Sequence, residues 1–104
     1  MKKADKIKEN TEFVLTFKTL GEINRYLIFR SLIRKKNMLV SEIAKTLKIS
    51  MPLTSQHLKI LVLTGLLDKK KDGRRVYYFL NLDNPSVKSI IKIFPSRVRT
   101  QATL

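Results

Sequence analysis

The stretch VSEIAKTLKISMPLTSQHLKILVLTG, Val40 to Gly65, decides how this chain folds. Val40, Ile43, Ala44 and Leu47 recur at i, i+3, i+4 and i+7, which predicts an amphipathic helix of about two turns. Lys48-Ile49-Ser50 then breaks the pattern. Ser50 is suited to cap a second helix, and Pro52 falls in its first turn, where a missing N–H costs nothing. Leu58, Leu61 and Val62 would point inward along that helix, and Thr64-Gly65 would end it, Gly65 being suited to a left-handed position. Two short helices joined by a tight turn are expected, with the small Ala44 letting them approach closely.

Downstream of Gly65 the hydrophobic period changes from helical to two. Leu66–Lys71 and Arg74–Leu82 predict a hairpin around an Asp72-Gly73 turn, with Val76, Tyr78 and Leu80 on one face and Tyr77 and Phe79 on the other. Upstream, residues 23–35 predict a helix apolar around most of its circumference, hence central and buried. Residues 1–20 predict another, with Phe13, Val14, Phe17 and Leu20 on one face and Gly21 at its end. Its acids Asp5, Glu9 and Glu12 are interleaved with lysines and read as a solvated, salt-bridged face rather than a metal site. Asn84-Pro85 opens a last short helix carrying Val87, Ile90, Ile91 and Phe94, and Pro95 stops it. The expected fold is mainly α with a small β-hairpin, about five helices and a two-stranded antiparallel hairpin. Residues 1–94 would form one domain and 95–104 a flexible basic tail with Arg97 and Arg99.

Composition narrows the function. The 104 residues hold 22 Lys and Arg against 8 Asp and Glu, a formal charge of +14, which favours a polyanionic partner. With no cysteine and a single histidine, disulfides, zinc ribbons, thiol chemistry and a multi-histidine metal site within one chain are excluded, and no cofactor is expected. No run reaches the ~18–20 apolar residues of a membrane span, and the charged N-terminus leads into no secretory signal, so the cytoplasm is the expected compartment. No paired carboxylates, phosphate-cradling glycines or nucleophile–base spacing point to an enzyme.

The distribution of charge says more than its total. Between Ile43 and Leu67 lie Lys45, Lys48 and Lys59 and no acid; the hairpin adds Lys69, Lys70, Lys71, Arg74 and Arg75 against Asp72 near its tip. A helix-turn-helix followed by a basic hairpin is a winged helix-turn-helix, in which the first short helix braces the second against the ~12 Å major groove of duplex DNA. Met51, Pro52, Thr54, Ser55 and Gln56 are then the candidates to face base edges, Gln through a bidentate contact with adenine. The eight cations just named would meet phosphates or enter a minor groove. A solubilised edge hairpin, its lysines blocking aggregation, is the plainer reading of the wing.

These residues resemble the ArsR/SmtB family of repressors. Thr19-Leu20-Gly21-Glu22-Ile23-Asn24-Arg25 looks like the family's entry into its second helix. Ser41-Glu42-Ile43-Ala44 through Ser50, Ser55-Gln56-His57-Leu58-Lys59-Ile60-Leu61 and Gly65-Leu66-Leu67 are similar to its helix-turn-helix. Asp72-Gly73-Arg74-Arg75-Val76-Tyr77-Tyr78-Phe79-Leu80 resembles its wing, and the likeness spans about residues 13–94. It implies a homodimer built from the first and last helices, through Phe13, Phe17, Val87, Ile90, Ile91 and Phe94, repressing transcription from a palindromic operator until an inducer weakens binding. The bland alternative packs both stripes on their own domain. The resemblance also implies that His57 links the recognition helix to the scaffold. Leu39 and Ser41 stand where the family's sensing cysteines would be, and residues 86–94 contain no histidine or carboxylate, so sensing by those metal and thiol sites is not expected. Lys48 occupies a turn position where glycine is usual, and Leu53-Thr54 reverses the usual polar-then-aliphatic order. A non-specific DNA-binding architectural protein and a protein-interaction module are the competing functions; the effector is not legible.

Overall fold

Capping and turn chemistry divide the chain into five helices and three strands, and the computed structural model describes residues 3–95. Of the expected tail at 95–104, all but Pro95 lies outside them, Arg97 and Arg99 included. Helix α1 (Lys3–Leu20) gives way at Gly21 to α2 (Ile23–Lys35), whose N-terminus is capped by the Glu22 carboxylate accepting from the Arg25 N–H at 2.9 Å. Ile28, Phe29, Leu32 and Ile33 of α2 are buried, whereas Ile23 and Tyr26 at its start are exposed. The helix is therefore central along one face only.

Strand β1 (Asn37–Leu39) leads into α3 (Val40–Leu47), where the Glu42 carboxylate accepts from the Leu39 N–H at 2.9 Å. Helix α4 (Met51–Leu63) follows, capped by Ser50, whose hydroxyl accepts from the Leu53 N–H at 3.2 Å. Both of these helices end the same way. At α3 the Ile49 N–H donates to Ala44 O and the Lys48 N–H to Lys45 O; at α4 Leu66 donates to Leu61 O and Gly65 to Val62 O. These are paired Schellman bonds, with Lys48 (φ 58°) and Gly65 (φ 81°) at the left-handed position.

Strands β2 (Leu67–Asp72) and β3 (Arg75–Leu80) form the hairpin. Asp72 pairs with Arg75, so the two loop residues are Gly73 and Arg74 rather than the expected Asp72 and Gly73. The positive φ falls on Gly73 at the first loop position, where a type II′ turn requires glycine. The sheet has three strands in the order β1-β3-β2, not the expected two, because Asn37–Leu39 pairs antiparallel with Tyr77–Phe79. Three residues are too few to show a period of two. What fixes this edge is tertiary: Met38 is buried in the core opposite Tyr78.

Helix α5 (Pro85–Ile91) closes the fold, with the Asn84 side chain accepting from the Ser86 N–H at 3.0 Å. The Asn81 and Asn84 amides both donate to Gly65 O, at 3.1 and 3.0 Å, tying the end of α4 to the start of α5. Ser86 in turn lies 2.8 Å from the Thr16 hydroxyl, a buried polar contact between α5 and α1. Thr16 and Thr19 take the inward positions on α1, their hydroxyls bonding to the carbonyls of Glu12 and Leu15. Of the apolar stripe Phe13, Val14, Phe17 and Leu20, Val14 and Phe17 are exposed and Phe13 and Leu20 half-buried. Threonine can be buried here because its own helix satisfies the hydroxyl.

Candidate nucleic-acid interface

Helix α4 turns one face to its own core and the other outward. Thr54, His57, Leu58 and Leu61 are buried, while Pro52, Ser55, Gln56, Lys59, Ile60 and Leu63 are exposed along the opposite side. Met51 and Leu53 are exposed at the first turn. Of the five residues expected to face bases, Met51, Pro52, Ser55 and Gln56 share the accessible surface. Thr54 does not. It is 0% exposed and its hydroxyl donates to Ser50 O at 2.8 Å, so it belongs to the packing of the helix and not to its reading face. The reversed Leu53-Thr54 order is resolved by that internal bond, which lets the threonine go in and the leucine out.

His57 anchors the helix from behind. Its Nδ1 lies 3.4 Å from Arg25 Nη1 and 3.7 Å from Glu22 Oε2, and Arg25 Nε donates to Thr19 O at 2.7 Å. One histidine, an arginine and a carboxylate thus bind α4 to the start of α2 and the end of α1. That arrangement sets the angle at which the exposed face of α4 is presented.

The hairpin's cations are all exposed, but the pleat separates them. Lys69 and Lys71 pair with Tyr78 and Val76, while Lys70 pairs with Tyr77, next to the Asp72–Arg75 pair. Cross-strand partners share a face, so Lys70 and Arg75 present charge on one side of the wing and Lys69 and Lys71 on the other. The wing therefore splits its cations: Lys69 and Lys71 stand on an acid-free face, while Lys70 and Arg75 share theirs with Asp68 and Asp72. Hydrogen bonding with Tyr77 and its electrostatic attraction, aided by Asp72 and Glu42, raise the Arg75 guanidinium above its ordinary pKa. Lys45, Lys48 and Lys59 are also exposed, on α3, at the turn and on α4.

The expected pairing surface is redistributed. Val87, Ile90 and Phe94 are buried within their own protomer, and Phe94 stacks on Tyr26 with ring centroids 5.7 Å apart. They are core residues, a correction forced by α5 packing against α1 and by Phe94, just beyond it, packing on Tyr26 and Phe29 of α2. Ile91 and Phe13 are half-buried. What remains open is Phe17 (56% exposed), Val14, Leu15 and Tyr26, with Ile93 (71% exposed). Phe17, Tyr26 and Ile93 border a groove of about 280 Å³ that Leu20, Ile90, Phe94 and Pro95 also line. Sequence reasoning misses Tyr26 and Ile93: it assigns Tyr26 to the buried circumference of the helix over 23–35, and Ile93 lies off the stripe of Val87, Ile90, Ile91 and Phe94. Among the described residues no group of three His, Cys, Asp or Glu could hold a metal ion, and no helix is long and apolar enough to cross a membrane.

Known proteins share this arrangement. Residues 24–69, from α2 into β2, match the model described as "Bacterial regulatory protein, arsR family". The cadmium resistance transcriptional regulatory protein CadC of Listeria innocua is 39% identical over 64 residues, covering 62% of this chain and 54% of CadC. The chain thus spans about half the length of that relative. The HTH-type transcriptional regulator MJ1325 of Methanocaldococcus jannaschii is 35% identical over 77 residues, 74% of this chain and 84% of the relative. Among solved structures, reduced HlyU from Vibrio cholerae superposes with a TM-score of 0.75 at 27% identity, over 86% of this chain and 90% of its own.

Proposed function

The chain belongs to the arsR family of bacterial regulatory proteins, and from that premise we propose that it represses transcription by binding duplex DNA as a homodimer. Helix α4 enters the major groove with Met51, Pro52, Ser55 and Gln56 toward base edges. Lys45, Lys48 and Lys59 and the wing's Lys69, Lys70, Lys71, Arg74 and Arg75 meet the flanking backbone or minor groove. The single observation that carries this reading is the sidedness of α4: an acid-free outer face, with Ser55, Gln56 and Lys59 beside exposed Met51, Leu53, Ile60 and Leu63, on a helix capped at Ser50 and locked from behind by His57.

The homodimer forms through the apolar groove of α1, the start of α2 and the end of α5, with Phe17, Tyr26 and Ile93 from each copy. Two-fold pairing presents two recognition helices to successive major-groove faces, which suits a palindromic operator with half-sites about 34 Å apart. A dimer seated across a promoter excludes polymerase, so the bound state is the repressing one. The protein acts in the cytoplasm as a regulator and not as a catalyst. The cadmium resistance in the name of the Listeria relative does not carry over, since these 104 residues contain no thiolate for a soft cation.

Selection of bound duplexes from a random pool tests the proposal. An enriched palindrome is expected, with affinity falling about 10³–10⁵-fold between about 50 and 200 mM salt if 6–10 phosphates are contacted. Recovery of unselected sequence would leave a non-specific binder, and no retention of duplex at physiological salt would leave a protein-interaction module.

A further inference from the structure

Helix α2 carries three arginines that the structure uses differently. Arg25 is committed to Thr19 and His57. Arg30, half-buried, and Arg34, exposed, form no ion pair among the described residues. They sit at i and i+4, so their side chains leave the same face of the helix, where two like charges cost stability. Both line a cleft of about 250 Å³ between α2 and α3, completed by Leu27, Ser31, Thr46 and Leu47. No carboxylate lines it.

We infer that this cleft is a binding site for a phosphate-bearing anion, held between the Arg30 and Arg34 guanidiniums. Two planar donor forks set one helical turn apart suit the tetrahedral oxygens of a phosphate, and each bond is strengthened by charge on both partners. The anion also relieves the repulsion between the two arginines and offsets the partial desolvation of Arg30. The hydroxyls of Ser31 and Thr46 spend their protons on Leu27 O and Glu42 O, both at 2.8 Å, which leaves these two lining oxygens free only as acceptors. These can accept from a hydroxyl of the ligand, while Leu27 and Leu47 contact its carbon skeleton.

The cleft is separate from the proposed DNA surface. Thr46 lies about 100° around α3 from Lys45, so the cleft opens on a different flank of the helix that braces α4. Occupancy would change how α3 rests on α2, and through it the pose of α4. A phosphate could come from a free small molecule or from duplex DNA curling past the domain, and the two sources are separable.

Titration of the intact protein with pyrophosphate, followed by amide NMR at constant ionic strength, is the test, and it does not depend on DNA being bound. Saturable shifts at Ser31, Arg34, Thr46 and Leu47 are expected, weakened about tenfold by Arg34→Gln and further by Arg30→Gln with Arg34→Gln. Arg34 is exposed, so its single substitution leaves the fold intact. The same variants are then measured on the selected duplex. Unchanged DNA affinity assigns the site to a free ligand; weaker binding with a shallower salt slope assigns it to a backbone phosphate. Pyrophosphate shifts confined to α4 and the wing, or shifts at the cleft that both variants retain, overturn the inference.

Discussion

At the scale of single residues, two positions separate what packs from what reads. Thr54 and Gln56 are two apart on α4, yet one is sealed in the core and the other exposed. Thr54→Val keeps the shape of the buried side chain and removes a hydroxyl whose acceptor, Ser50 O, also takes the Thr54 N–H. Stability should change by less than about 1 kcal/mol, with the selected DNA sequence unaltered. Gln56→Ala should do the reverse, leaving the melting temperature alone while relaxing preference at one base pair per half-site, read by repeating the duplex selection. Equal loss on all sequences would remove Gln56 from the reading face. Lys48 makes a third case. It holds φ 58° and ψ 44° at the end of α3, where a side chain costs about 1–2 kcal/mol relative to glycine. Lys48→Gly should therefore stabilise the domain by about 1 kcal/mol, seen as a higher urea midpoint at unchanged slope.

At the scale of elements, the helix boundaries were legible because they are written in local chemistry. Ser50, Pro52 and Gly65 each satisfy a requirement of the backbone within a few residues of themselves, whatever surrounds them. The same locality predicts that Ser50→Ala, which removes the acceptor for the Leu53 N–H, lowers unfolding stability by about 1 kcal/mol in chemical denaturation. DNA affinity should fall with it, since the first turn of α4 carries the reading residues. The sheet was only half legible. The hairpin announced itself by alternation, but β1 exists because Met38 fits the core beside β3, and its three residues carry no period of their own. The turn shifted by one residue for a related reason: pairing Asp72 with Arg75 places Gly73 where a positive φ is needed.

At the scale of the whole molecule, the question is which apolar surface stays open once the chain has folded. Val87, Ile90 and Phe94 are consumed by the protomer's own core, leaving Phe17, Tyr26 and Ile93 around the groove. Phe17→Asp places a charge in that groove without disturbing the core. Sedimentation should then show a monomer, the melting temperature should lose its dependence on protein concentration, and affinity for the full palindrome should drop at least about 10²-fold through lost bivalency. A variant that remains dimeric and binds normally would move the pairing surface elsewhere.

The sequence by itself determined the helices, the hairpin, the basic character and the position of the helix-turn-helix, since caps, periods and charge act over a few residues. The tertiary structure alone decided which side of each helix is spent on the core. It turned Thr54 inward, took Val87, Ile90 and Phe94 into the core, recruited β1, and split the wing's cations between two faces. Burial is settled by what packs opposite a residue, and that neighbour lies far away along the chain.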